Sequence, residues 1–249
     1  MLLSVVILTC NQKEVTLRCL RSICELISDP ECEVILVDNG STDGTAKDVS
    51  RLFPEVRPIR LDTNRGVAAG RNSGLQICSG KYLMILDNDT IADRDTILGL
   101  ARYLESHPDV GLVAPRLVSP GGETQSSFRP FPGLLQKIRN VILGKNRTSV
   151  TTEVPDREIE PFYVIGAAQM FPRGVYAAAG PLDEKIFYGP EDADFCMAVR
   201  NVGKRVVYCP QFTIVHDWQR KTTGNILSAA GRRHTSALLY FYLKHHRFL

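Results

Sequence analysis

Several features that would point to a function are missing from this sequence. No apolar run is long enough to span a bilayer, so no membrane-crossing helix is expected. There is no CxxC pair. The seven cysteines (Cys10, Cys19, Cys24, Cys32, Cys78, Cys196 and Cys209) are odd in number, scattered, and mostly set in apolar segments. That pattern argues against a disulfide framework or a zinc site and for reduced thiols in a cytoplasmic compartment. The net charge is only +3, too small to suggest a nucleic-acid partner, although the C-terminal stretch is visibly basic. The apolar start, residues 2–8, is short and runs at once into Thr9-Cys10-Asn11-Gln12, so it is expected to be a strand and not a signal peptide or anchor. What remains is ordinary globular material: 249 residues, 44% hydrophobic and 23% charged, enough for one large α/β domain or two small ones.

Strand and helix patterns alternate through the first half. Residues 4–9 form the first strand; Asn11 is placed to cap a helix on which Val15, Cys19, Leu20, Ile23 and Leu26 recur at helical spacing. Residues 33–37 form a second strand ending at Asp38, and the turn from Asn39 to Thr45 leads into a helix reaching about Leu52. Residues 56–61 read as a third strand, and a helix over 67–78 follows Asn64-Arg65-Gly66. Leu83-Met84-Ile85-Leu86 then reads as a strand buried on both faces. Three successive βα units imply a parallel, doubly wound sheet with Thr9, Asp38 and Asp87 facing one crevice.

The stretch Asp87-Asn88-Asp89 ends that fourth strand with two carboxylates flanking an amide. Ligands bind beyond the carboxyl ends of parallel strands. Two acidic groups so close repel unless a cation or a hydrogen-bonding ligand lies between them, and Mg²⁺ or Mn²⁺ would suit the pair. The same three residues are also good turn and helix-capping material. Asp38 has the same two readings, a βα turn or an acceptor for a base or ribose. From Asn64 to Gly74, three glycines, with Ala68 and Ala69 between the first two, allow close backbone approach, and a helix N-terminus there would favour a diphosphate. Arg71, one turn in, either points back at that anion or is a solvated residue on an amphipathic helix.

Taken together, Val5-Val6-Ile7-Leu8-Thr9-Cys10-Asn11, Val37-Asp38-Asn39-Gly40-Ser41-Thr42-Asp43-Gly44-Thr45, Asn64-Arg65-Gly66 with Arg71-Asn72-Ser73-Gly74, and Leu86-Asp87-Asn88-Asp89 resemble the nucleotide-sugar half of family 2 glycosyltransferases of the GT-A fold, most of all the rhamnosyltransferase-like branch. The resemblance covers about the first 120 residues. It implies a single domain with a Rossmann-like, mostly parallel mixed sheet flanked by helices. About residues 1–120 would bind the nucleotide sugar, and about 121–249 would bind the acceptor and carry the base. It further implies that Thr9 and Asp38 hold the base of the nucleotide and that Arg71 and Asp87 contact the nucleoside. Asn11, Asn64, Gly66 and Asn88 would line the same site, and Asp89 would ligate a divalent Mn²⁺ or Mg²⁺.

In the second half, residues 93–107 read as an acid-started helix and 110–118 as a strand. The stretch 119–160, rich in Pro, Gly, Ser, Arg and Thr, is expected to be a partly mobile acceptor-side loop and a candidate lid. Residues 162–171 resume as a strand whose Gly166-Ala167-Ala168 permits close approach. By the resemblance, Gly166 lies beside the donor sugar. Glu191-Asp192-Ala193-Asp194 would ordinarily be an acidic first helical turn. The resemblance instead makes Asp192 the catalytic base, with Glu191 and Asp194 placing the acceptor or holding the loop. Two short strands follow, 206–208 and 212–215, the latter ending at His216, which falls where related transferases place a metal-binding histidine. Trp218, the only tryptophan, either stacks on a sugar face or fills a core gap. A C-terminal helix over 226–249 is a packed element, an element closing over the diphosphate through Arg232 or Arg233, or a basic surface lying on a membrane.

The reaction so implied is an inverting, divalent-metal-dependent sugar transfer. A UDP- or dTDP-sugar would donate to a saccharide or lipid-linked acceptor in cell-surface polysaccharide synthesis, in the cytoplasm or peripheral on the cytosolic face of the membrane. A glycosidase using two carboxylates is disfavoured, because adjacent side chains cannot straddle a glycosidic bond. A sugar nucleotidyltransferase would carry a Gly-rich, Arg- or Lys-bearing loop after the first strand, where Thr9-Cys10-Asn11-Gln12 offers none. A non-catalytic nucleotide-sugar-binding protein would keep Asp38 and Asp89 without the base.

Overall fold

A computed structural model describes residues 1–129, 154–218 and 229–245, with backbone only for 229–233. Three apolar strands form its centre. Strand β1 (Leu3–Thr9) lies between β2 (Cys32–Asn39) and β4 (Tyr82–Asp87), parallel to both, while β3 (Arg57–Leu61) takes the outer edge beside β2. The side chains of β1, β2 and β4 are almost all buried, as expected of strands covered on both faces, whereas β3 is largely exposed and carries Pro58, which suits an edge. Successive residues point to opposite faces, giving one core per face. Val5, Ile7 and Met84 pack with Leu17 and Leu20 of helix α1 (Lys13–Ser22), Leu26 of α2 (Cys24–Ile27), and Ile97 and Leu100 of α5 (Arg94–Ser106). Val6, Ile35 and Ile85 pack on the other side with Leu75 of α4 (Val67–Leu75), Val175 of α6 (Arg173–Ala179), and Phe195 and Val199 of α7 (Glu191–Asn201).

The second half continues the same sheet. Strand β10 (Ala168–Pro172) runs antiparallel between β4 and β6 (Val110–Val118), followed by β11 (Arg205–His216) parallel to β6 and the short β5 (Thr90–Ile91) at the far edge. Strand β7 (Thr124–Gln125) folds back on the end of β6, and β8 (Phe128–Arg129) pairs with β9 (Tyr163–Val164) in a separate ribbon. Helix α3 (Thr45–Leu52) links β2 to β3, and α8 (Ala229–His245) docks at the other end through Phe241 and Tyr242 against Ile186 and Ala193. No helix among the described residues is long and apolar enough to cross a membrane.

The sheet is therefore mixed, and β10 and β5 break the all-parallel winding implied by the first half. The strand expected over 162–171 is cut in two, because the chain leaves the β8–β9 ribbon before Gly166 and joins the main sheet only at Ala168. Conversely, the two strands expected over 206–215 are one, with a register shift between Cys209 and Thr213 that leaves Pro210 without a ladder position. The helix expected from Asn11 to Leu26 pauses at Ile23, and the one over 67–78 stops at Leu75. The core of the stretch expected to be a mobile lid, 130–153, lies outside the described residues.

Helix α4 reaches the sheet closely because its contact positions have no side chain. A Cβ on Gly74 would sit 2.5 Å from Val6 Cγ1 and one on Gly70 2.5 Å from Leu8 Cδ1. Gly174 in α6 has nothing within 4 Å of that position. Gly74→Ala is accordingly expected to destabilise by about 1–3 kcal/mol through overpacking. Gly174→Ala should stabilise by about 0.5–1 kcal/mol through helix propensity. Urea unfolding of both variants checks the pair of opposite signs.

Candidate active site

The register of the central strands sets the site. Thr9 is level with Asp38, and Leu8 with Asp87, so the carboxyl ends of β1, β2 and β4 make one ledge. Because the strands are parallel, the residues that end each apolar run arrive together at the crevice where such sheets bind ligands.

At one end of the ledge Asp87, Asp89 and His216 each bring a donor atom within 4.8 Å of the others. Asp89 Oδ1 is buried and has no hydrogen-bond partner, and His216 Nε2 stands 3.4 Å from it. Two carboxylates and an imidazole form a donor set that fits a divalent cation, with the nitrogen favouring Mn²⁺ over Mg²⁺. An orphaned buried carboxylate oxygen is what such a site leaves when only protein atoms are considered. Burial works against a charged His216, but the adjoining Asp89, with Asp87 and Asp217, pushes its pKa up. Trp218 stacks near the imidazole, centroids 6.5 Å apart, and is half exposed, which removes the core-filling reading of that residue.

Arg71 occupies the centre. It is 4% exposed, and its guanidinium donates to Asp87 Oδ1 at 2.7 Å, to the Gly166 carbonyl at 2.9 Å and to Glu191 Oε1 at 3.2 Å. Burial disfavours its charge, but Asp87 and Glu191 outweigh burial and hold it firmly protonated. Desolvation, with Asp89 nearby, pushes Asp87 up against the pull of Arg71. Arg71 thus neither reaches back to an anion at its helix N-terminus nor lies in solvent. At that N-terminus the Val67 amide donates to the Phe187 carbonyl at 2.7 Å, and the Gly66 amide to Asn64 Oδ1 at 2.9 Å. Gly66 itself, at φ +90°, has no room for a Cβ beside Phe187.

Asp192 lies just past Arg71. Its carboxylate accepts from the Ala193 amide at 2.7 Å and from the Gly166 amide at 3.3 Å. Burial, and then the neighbouring Glu191 charge, push its pKa up to about 7. Glu191 is held by Arg71 and by the Gly189 amide, so each carboxylate has two protein partners, but only Glu191 is bonded to the guanidinium. Asp194 faces the other way, accepting from Lys244 and from His245 Nε2, the latter at 2.7 Å. It braces α8.

Other expected contacts turn inward. The Thr9 hydroxyl bonds to Thr16 at 2.8 Å, and the Asn88 amide donates to Thr16 at 2.9 Å and also to Thr9 and Gln12, so both side chains brace the ledge from beneath. Asn11 does not cap α1, whose N-cap is Gln12; at φ +52° its Oδ1 instead accepts from the Thr42 amide at 2.8 Å, tying the first two strand ends together. Asp38 is buried and receives the Ser41 amide at 2.8 Å. Asn64 is bonded within its own loop and to Asn39. The side chains of Arg232 and Arg233 lie outside the described residues.

Sequence reasoning missed Gln125, which bonds to both the ring and the carbonyl of His216, and Asn72, which pairs with the backbone of Leu182 on both sides. Gln125 carried no sequence signal, and Asn72 stood in a quoted motif without a role, since each role depends on a partner about 90 residues or more away.

A Cβ on Gly166 would meet Arg71 Nη1 at 2.5 Å. Arg71→Lys, which loses the planar fork, and Gly166→Ala, which displaces it, should each destabilise by about 2–5 kcal/mol. Combined, they should cost clearly less than their sum, because both disturb one network. Strict additivity in urea unfolding would show that Gly166 does not serve Arg71.

Residues 4–176 match the model of glycosyl transferase family 2. The N-acetylglucosaminyl-diphospho-decaprenol L-rhamnosyltransferase of Mycobacterium tuberculosis is 24% identical over 238 residues, covering 88% of this chain and 78% of that protein. Among solved structures, a mannosyltransferase from Pyrobaculum calidifontis in complex with GDP-Man and Mn²⁺ superposes with TM-score 0.65 at 22% identity, over 98% of this chain and 64% of that one. GalNAc-T7 with UDP, GalNAc and Mn²⁺ gives TM-score 0.70 at 15% identity, over 97% and 47%. The chain thus spans less than two thirds of these structures, and the likeness establishes the GT-A fold. The family match runs from the first parallel strand through the antiparallel strand that joins the two halves of the ledge, and on that ground the chain belongs to glycosyl transferase family 2.

Proposed function

We propose that this chain moves a sugar, hexosyl or rhamnosyl, from a UDP- or dTDP-sugar to a saccharide or lipid-linked acceptor, with inversion at the anomeric carbon. The observation that carries the reading is Arg71, which joins the Asp87–Asp89–His216 cluster to the Glu191–Asp192 helix start in one charged network. Cation-binding groups and a basic carboxylate then share one crevice. Asp192 takes the proton from the acceptor hydroxyl as that oxygen attacks. A base with a pKa near neutrality is well matched to that role. Asp87, Asp89 and His216 hold Mn²⁺ or Mg²⁺, which when bound supplies positive charge to the departing diphosphate. Relatives support the substrate classes: the mycobacterial protein is named for a lipid-linked diphospho-saccharide and L-rhamnose, and solved neighbours hold GDP-Man, or UDP-GlcNAc in Staphylococcus aureus TarS. Leu239 and Leu243, one turn apart on α8 and each more than half exposed, support a peripheral contact with a membrane face.

Donor hydrolysis and thermal shift across nucleotide diphospho-sugars, with and without Mn²⁺, test this reading. Asp89→Ala should lose metal-dependent stabilisation by the donor. Asp192→Asn should keep it while turnover falls by about a hundredfold or more. An unchanged rate in Asp192→Asn would remove the base from its role.

The pH dependence follows from Asp192. A base must be ionised, so turnover should be present above about pH 7 and lost as pH falls through it. The folded pKa is raised, so the ionised form costs stability, and that cost grows as pH rises toward about 7. Asp192→Asn should therefore raise the melting temperature more at alkaline than at acid pH, and a melting series in both proteins reads the difference.

A further inference from the structure

Gln125 sits at the end of β7, opposite Leu117 of β6, where a turn from Ser119 to Glu123 folds the chain back toward His216. Its side-chain amide makes two contacts with that one residue. Gln125 Nε2 donates to the His216 carbonyl at 2.8 Å, and Gln125 Oε1 lies 2.9 Å from His216 Nδ1. Donor rules fix the rest. A carbonyl oxygen only accepts, so the NH₂ end of the amide must face it, and Oε1 must face the ring. Oε1 likewise only accepts, so Nδ1 must carry the hydrogen. In a neutral imidazole the other nitrogen then presents its lone pair, and that nitrogen, Nε2, faces the unpartnered Asp89 Oδ1 at 3.4 Å. In that neutral form two acceptors would face each other across a buried gap, an arrangement that a proton on Nε2 or a divalent cation relieves.

We propose that Gln125 is a positioning residue which locks His216 as the Nδ1–H tautomer, leaving Nε2 open to a divalent cation shared with Asp87 and Asp89. The proposal rests on the reading of that cluster as a metal site. A carboxylate at position 125 would still accept from Nδ1–H, but it would set its second oxygen against the His216 carbonyl and add a third negative charge beside Asp87 and Asp89. Glutamine supplies the same acceptor without charge, and its second end anchors the strand that ends in His216. Residues that hold a metal-ligating histidine from its far nitrogen set both ring orientation and basicity.

Three proteins test the proposal: wild type, Gln125→Leu and Gln125→Glu. In long-range ¹H–¹⁵N spectra of the metal-free proteins, at the alkaline end of the His216 titration, wild type and Gln125→Glu should show the hydrogen on Nδ1, and Gln125→Leu should shift it to Nε2. Binding of Mn²⁺ alone, followed by loss of the free-ion EPR signal, should weaken about 10–100-fold in Gln125→Leu and stay near wild type in Gln125→Glu. A Gln125→Leu protein that keeps both the tautomer and the Mn²⁺ affinity would overturn the proposal while leaving the metal site intact. So would a Gln125→Glu protein as weak as Gln125→Leu, because the carbonyl anchor and not the ring acceptor would then matter. A wild-type protein that takes up no Mn²⁺ would instead overturn the metal reading itself, and this proposal with it.

Discussion

The site depends on one buried cation. Arg71 leaves helix α4 inside the protein and is shared by Asp87 at the end of β4, the Gly166 carbonyl ahead of β10, and Glu191 at the start of α7. Three elements distant in sequence meet there, and each contributes a different part of the chemistry. A guanidinium suits this position because its planar fork can serve several oxygens at once and it stays charged when desolvated. Removing one partner of a buried pair leaves the other uncompensated, at a cost of about 3–5 kcal/mol. The arrangement is therefore as much a structural lock as an electrostatic one. Gly166 fits the same constraint, since its backbone lies against the guanidinium and bonds to Arg71 through its carbonyl and to Asp192 through its amide.

Around that lock the polar residues of the ledge divide into two groups. Thr9, Thr16, Asn88 and Gln12 form a hydrogen-bonded floor, and Asn11 links the first loop to the second. These residues satisfy one another, which holds the strand ends in place beneath the crevice. Asp89 Oδ1 has no hydrogen-bond partner, and Asp192 accepts only from two backbone amides. Groups short of protein partners in a polar cleft are the ones left to meet a ligand.

Much of this was legible in the sequence. Continuous apolar runs such as Leu83-Met84-Ile85-Leu86 give buried parallel strands directly, and β6 falls at 110–118 as read. The positions of Asp87, Asp89 and His216 on one edge follow from strand ends, and the structure brings the three together. Less legible was anything decided by a distant partner. The spacing of Arg71 on its helix says nothing of Glu191, 120 residues on. Nor could the pattern of residues 162–171 reveal two strands, because apolar character is the same whether a strand pairs in the ribbon or in the main sheet. The cap at Asn11 failed for a similar reason: Thr42, across the loop, competes for the same side-chain oxygen.

The antiparallel strand β10 also bears on how the chain is made. Until residues 168–172 arrive, β4 has a neighbour on one side only, and its other edge presents Leu83 to Leu86 with unpaired backbone groups. The first half is then an open sheet with a sticky rim during synthesis, of the kind that invites pairing with other chains. It cannot close its sheet without the second half. Folding is thereby tied to late, long-range pairing, so a ribosome must release well over half the chain before β4 has a finished edge.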